Sequence, residues 1–161
     1  MSGYLPAAQP WQSALVADIT QRRVQAGPEG QRAQRTALTA YAAFRERHYE
    51  SYLQYAGLRI GQRGAAEAAV DAAFTELAVS WTVLLGSAGP AAAAWRILHN
   101  HINRALGLGA TTAPASRVVQ TLQQDAHLLH QRMHLTHDRI AEVLGVRPGD
   151  VLRLLPRSAG D

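Results

Sequence analysis

Apolar residues recur every three to four positions along nearly the whole chain, and the two-residue alternation of a half-buried strand is missing. This spacing puts apolar side chains on one face of successive helices and leaves no pattern from which to build a sheet. Breaks fall at Gly27-Pro28, at Gly61, between Gly86 and Pro90, in the glycine- and proline-bearing stretch 107–114, and at Pro156. The expectation is an all-α protein. A first helix follows Pro10 and carries Trp11, Leu15 and Ile19 until Gly27-Pro28 stops it. Long helices are expected over 31–60 and 65–85, and a shorter one over 91–105 with Trp95, Leu98 and Ile102 as its stripe. Beyond the stretch 107–114 come a helix with Leu122, Ala126, Leu129 and Met133 on one face, and two short helices over 137–144 and 148–155. The expected division is an N-terminal extension over 1–34, a helical domain over 35–106, a linker over 107–115 and a second helical module over 116–161. The extension's helix needs a surface to bury against. The core, an inhibitory contact and a second copy all remain open.

Composition narrows the function. A chain of 161 residues with 47% hydrophobic and 17% charged residues can bury a core and does not read as disordered. Cysteine is absent, which excludes disulfides, thiolate metal sites, iron–sulfur clusters and cysteine nucleophiles, and suits a reducing cytoplasm. The first residues lack a basic stretch followed by an apolar one, and no apolar run approaches the roughly 20 residues of a membrane span. A cytoplasmic protein without a membrane partner is expected. The 16 basic residues, all arginine, exceed the 12 acidic ones to give a net charge of +4. The excess is spread along the chain, so it permits contact with nucleic acid without demanding it. There is no phosphate-cradling glycine loop, no nucleophile elbow and no paired carboxylates in an apolar setting, so neither an enzyme nor a cofactor is expected.

The sharpest local pattern spans His137 to Leu155. Ala141 is small enough for a second helix to cross closely, and Gly145, four positions on, tolerates a left-handed turn. Ile140, Leu144, Val146, Val151 and Leu154 sit where two such helices would be glued together. This fits a helix-turn-helix, or an ordinary helical hairpin.

The segment LTHDRIAEVLGVRPGDVLRLL, residues 135–155, resembles the promoter-reading C-terminal region of bacterial sigma factors of the extracytoplasmic-function type. Upstream, YAAFRERHYESYLQYAGLRIGQRGAAEAAVDAAF, residues 41–74, resembles the first half of that family's core region, and AWRILHNHINRAL, residues 94–106, its helix at the melted promoter element. Three segments in the family's order cover about three-quarters of the chain. The resemblance implies core RNA polymerase and promoter DNA as partners, with an anti-sigma protein as a further one. It places Glu67, Asp71 and Phe74 on the polymerase, although the family's usual second acid after Glu67 is replaced by Ala68. It places Arg96, His99, Asn100, Asn103 and Arg104 at DNA, together with Arg139, Arg147 and Arg153 of the C-terminal helices. Asp150, Leu152 and Leu154 depart from the family, which has threonine and basic residues there. That departure suits an alternative, a sigma-like protein that no longer reads promoters and regulates transcription through protein contacts.

Four histidines, His127, His130, His134 and His137, occur at spacings of three, four and three on one helical face. They read as residues bordering the apolar stripe. No metal site is assigned to them, although His130 and His134 could share a zinc ion and the face could sense pH.

Overall fold

The computed structural model describes residues 17, 27–87, 89–109 and 115–155. Among them all regular structure is helical and no strand occurs. Six helices run in order: α1 Pro28–Ile60, α2 Arg63–Leu85, α3 Pro90–Ala105, α4 Ala115–Gln131, α5 His137–Leu144 and α6 Pro148–Leu154. The helix expected around Trp11, Leu15 and Ile19 lies outside the described residues, as does most of the extension over 1–34.

Pro28 begins α1, where the sequence suggested that it ends an earlier helix. A first-turn proline has no N–H to lose and a backbone angle already suited to a helix. The Gln31 N–H closes the first turn on the Gly27 carbonyl at 3.1 Å. The contacts divide the chain into two units, Met1–Ala42 and Ala43–Asp161, and α1 runs through the boundary. The described part of the first unit is helical, and two of its threonines, Thr36 and Thr39, return a hydroxyl bond to the carbonyl four residues back.

The second unit holds the core. The later half of α1 buries His48, Tyr52, Tyr55 and Ala56. On α2 the buried set is Ala66, Ala69, Val70, Ala73, Phe74, Leu77 and Trp81, whose small alanines let helices approach closely. On α3 it is Ala93, Ala94, Trp95, Leu98 and Ile102. Aromatic rings join the three: Tyr52 stacks on Phe74 with centroids 5.4 Å apart and meets Trp95 edge-on at 5.6 Å, and Phe44 lies 5.3 Å from Trp81. Such pairs contribute about 0.5–1.5 kcal/mol each beyond the area they bury.

The helix α2, at 23 residues, is long and apolar enough to cross a membrane by length and composition alone, contrary to the expectation that no apolar run approaches that length. Arg63, Glu67, Asp71 and Glu76 break its apolar run, while alanine, valine and leucine keep its average high. A third of its most apolar window is buried within the protein.

Packing is continuous across the expected linker at 107–115. The helices α4, α5 and α6 pack on one another, and α5 also packs on α3. Gly145 takes a left-handed backbone, φ 70° and ψ 33°, between α5 and α6, and the Val146 N–H returns to the Ala141 carbonyl at 3.0 Å. A Cβ at Gly145 would run into the Ala92 backbone nitrogen and lie 2.7 Å from Ala92 Cα, so this turn is seated on the first turn of α3. The helices α5 and α6 are held together by Ile140, Ala141, Val143, Leu144 and Val151. Val146 and Leu154, expected in that core, are half-buried, and Val143 takes part in their place.

Candidate functional site

Two outward faces and one buried junction carry the polar chemistry. On α2, Glu67 and Asp71 stand four residues apart on the helix's outer side. Arg63 Nε donates to Glu67 Oε1 at 2.9 Å, an exposed ion pair that contributes little to stability. Tyr49 Oη donates to Asp71 Oδ1 at 3.0 Å, and burial, followed by this bond, raises the Tyr49 pKa. Phe74, expected beside these two acids on the polymerase-facing surface, is 3% exposed and stacked in the core. Its ring packs against Tyr52 and Tyr49 and leaves little surface to offer a docking protein.

The residues expected at DNA on α3 separate into two sets. Arg96, Asn100 and Arg104 are exposed and recur every four residues along one face. His99 and Asn103 turn inward. His99 Nε2 lies 2.7 Å from Asp125 Oδ2, and Asn103 Oδ1 accepts from Arg59 Nη2 at 3.4 Å. These two positions lie one and two turns beyond Trp95 on the side of α3 that faces α1.

They belong to a junction that the sequence pattern did not single out. Asp125 of α4 is 4% exposed. Its Oδ1 accepts from Tyr55 Oη at 2.5 Å, and its Oδ2 accepts from Trp95 Nε1 at 3.0 Å and from His99 Nε2. Arg59 Nη1 donates to Tyr55 Oη at 2.8 Å, so the charge of Arg59 reaches the carboxylate through the phenol. Burial, with Asp125 beside it, pushes the Tyr55 pKa well above its ordinary value and keeps the hydroxyl protonated as a donor. A buried carboxylate met by three donors is held where an unpaired one would be costly. The junction ties α4 to α1 and α3. A signal was present: Asp125 interrupts the Leu122–Leu129 face of α4, where an apolar residue is expected.

A second tie joins α5 to α1. Arg47 donates through Nε and Nη2 to both oxygens of Glu142, at 2.8 and 3.0 Å. Arg139 Nη1 lies 2.8 Å from the same carboxylate, and its Nη2 donates to the Arg47 carbonyl and to Ser51 Oγ. These bonds, Arg47 first, hold the Glu142 pKa down to about 2. Arg139, expected at DNA, is thereby committed to α1, with its side chain 16% exposed. Arg147 and Arg153 stay exposed, Arg153 beside Asp150 at 3.9 Å. Leu152 is 60% exposed.

The histidine face is also rearranged. Helix α4 ends at Gln131, and Thr136 caps α5 by accepting the Arg139 N–H, so His134 leaves the helical face and cannot pair with His130 at helical spacing. His130 instead meets His137, with ring centroids 5.4 Å apart. Among the described residues no three histidine or acidic side chains converge as a metal-binding group.

No family model, no curated protein and no solved structure matches this chain, so the reading of its function rests on its own residues.

Proposed function

We propose that the chain is a sigma-factor-like transcription protein, which binds core RNA polymerase through the outer face of α2 and contacts promoter DNA through the outer face of α3. The ordered resemblance of three segments to that family supports the reading. The observation that carries the reading is the surface of α3: Arg96, Asn100 and Arg104 stay in solvent at four-residue spacing while Trp95, Leu98 and Ile102 fill the core. Over eight residues that stripe is about 12 Å long, and it offers two guanidinium groups for phosphates with an amide between them for a base edge or backbone oxygen. Glu67 and Asp71 present carboxylates to basic groups on the polymerase. In this reading α5, the Gly145 turn and α6 form a helix-turn-helix whose DNA-facing arginines are Arg147 and Arg153, while His99, Asn103 and Arg139 are positioning residues.

A second reading is favoured by the C-terminal helices. Arg139 is engaged inward, Asp150 sits by Arg153, and Leu152 is exposed where the family has a basic side chain. Loss of phosphate contacts lowers affinity for DNA steeply. An exposed leucine there suits a protein partner such as an anti-sigma protein, and the chain then regulates transcription without reading promoters.

A pull-down with core RNA polymerase, followed by run-off transcription on promoters of the source genome, tests both. The first reading expects co-purification and transcripts. Replacing Arg96→Ala together with Asn100→Ala should abolish transcripts and leave polymerase binding intact. Polymerase binding without transcripts from the unaltered chain favours the second reading, and absence of binding ends the first.

A further inference from the structure

The turn between α4 and α5 brings together two histidines from different helices. His130 lies in the last turn of α4 and His137 opens α5, and both are exposed to solvent. Their ring centroids are 5.4 Å apart and their planes are inclined by 39°. For two imidazoles on one tetrahedral ion, a metal–nitrogen bond of about 2.0–2.1 Å plus about 1.1 Å from nitrogen to ring centre places the centroids about 5.2 Å apart. The observed separation matches.

The pair is held by structure on both sides. The Arg132 N–H closes the end of α4 on the Leu128 carbonyl at 2.9 Å, and the Leu135 N–H reaches back to the Leu129 carbonyl at 3.1 Å. Leu129 is fully buried, which anchors that end of α4 in the core. His134 adopts a left-handed backbone, φ 55°, at the position that reverses the chain. Glycine is the usual residue for that conformation, and histidine is among the side chains that adopt it more often than most. Thr136 then fixes the start of α5. A pre-formed turn spares an incoming ion much of the cost of ordering its ligands.

We propose that His130 and His137 form a binding site for a divalent transition-metal ion of the zinc, nickel or copper class, with water in the remaining coordination positions. Neutral imidazole suits these borderline ions and not magnesium or calcium. The ion would clamp α4 to α5 across the turn, and thus brace the first helix of the unit that the proposed function reads as a helix-turn-helix, although the site itself stands independently of that function.

Tag-free full-length protein is compared with its His127→Ala, His130→Ala and His137→Ala variants by thermal unfolding and by calorimetric titration with Zn²⁺, Ni²⁺ and Mg²⁺. His127 is exposed one turn earlier on α4 and serves as the control. With Zn²⁺ or Ni²⁺ at about 100 times the dissociation constant, Tm should rise by about 5 °C in the unaltered chain and in His127→Ala. It should rise by no more than about half as much in His130→Ala or His137→Ala, in which affinity falls at least about tenfold, and Mg²⁺ should leave every form unchanged. The His137→Gln variant, which keeps a polar residue at the start of α5, should lose the ion as His137→Ala does. Equal binding by all forms (an adventitious ion on scattered histidines) overturns the proposal, as does no binding by the unaltered chain.

Discussion

At the residue scale the second unit puts ionisable groups to work inside its packing, and His48 shows the consequence for pH. His48 is 3% exposed on α1, its ring 4.3 Å from Phe44 and 5.7 Å from Tyr52. Burial, then the charge of Arg139, lowers its pKa from 6.5 to about 4. Between those values the unfolded chain carries a proton that the folded one refuses, so folding stability must fall as the pH drops from 6.5 towards 4. The loss is of order 3 kcal/mol, since a tenfold change in proton affinity corresponds to about 1.4 kcal/mol. Glu142 adds a contribution of the same sign at lower pH. Its pKa, lowered from 4.5 to about 2, gives stability that is complete above 4.5 and is lost through that interval. Urea unfolding at a series of pH values should therefore show stability declining from pH 6.5 downward. In His48→Leu the part between pH 6.5 and about 4 should vanish, while the part belonging to Glu142 remains. A His48→Leu profile as steep as the original would place the proton elsewhere.

At the scale of the element, the Gly145 turn sets the angle at which α6 follows α5 and the closeness of both to α3. Two separate physical demands meet there: a left-handed backbone and a close approach in which a Cβ would strike Ala91 and Ala92. Substituting Gly145→Ala should cost about 3 kcal/mol, adding the left-handed penalty to the displacement of backbone. The change should appear as a lowered urea midpoint, whereas Gly149→Ala, where nothing lies within 4 Å of the added carbon, should change the unfolding free energy by well under about 1 kcal/mol. The turn itself was legible in the sequence because a left-handed glycine four residues after a small alanine is a local feature. So were the bounds of α5, and α2 and α3 to within two residues, because their periodicity and their proline and glycine stops are local too. What covers each face was less legible. Phe74 is apolar on an apolar stripe and fits a core or a docking surface equally well by spacing. His99, Asn103 and Arg139 are polar and are expected at DNA, yet each finds a partner on a helix distant in the chain. Such partners cannot be seen until α1 lies beside α3 and α5.

At the scale of the whole second unit, the distribution of polar ties decides whether its later helices are a separable module. The expected boundary at 107–115 assumes that residues before it complete their own core. The structure gives Tyr55, Trp95 and His99 a shared acceptor, Asp125, that lies beyond the boundary, and gives Arg47 its carboxylate, Glu142, from beyond it as well. A fragment ending at residue 106 would leave three donors from α1 and α3 facing the space where α4 had been, and would strip α3 of the helix α5 that packs on it. Water can satisfy the donors once α4 is gone, but it cannot replace the apolar cover, so the loss should reach several kcal/mol, a large part of what a domain of this size has. The intact chain should then melt in one calorimetric transition that includes α4 to α6, and the fragment should show a broadened, strongly lowered transition or none. Asp125→Ala in the full chain separates the two contributions: it removes the acceptor and keeps the cover, and should cost about 3–5 kcal/mol because its donors stay buried and unpaired. If the fragment instead melts sharply near the temperature of the intact chain, the ties across 107–115 are contacts between two self-sufficient bodies, and the sequence-based division is the better description.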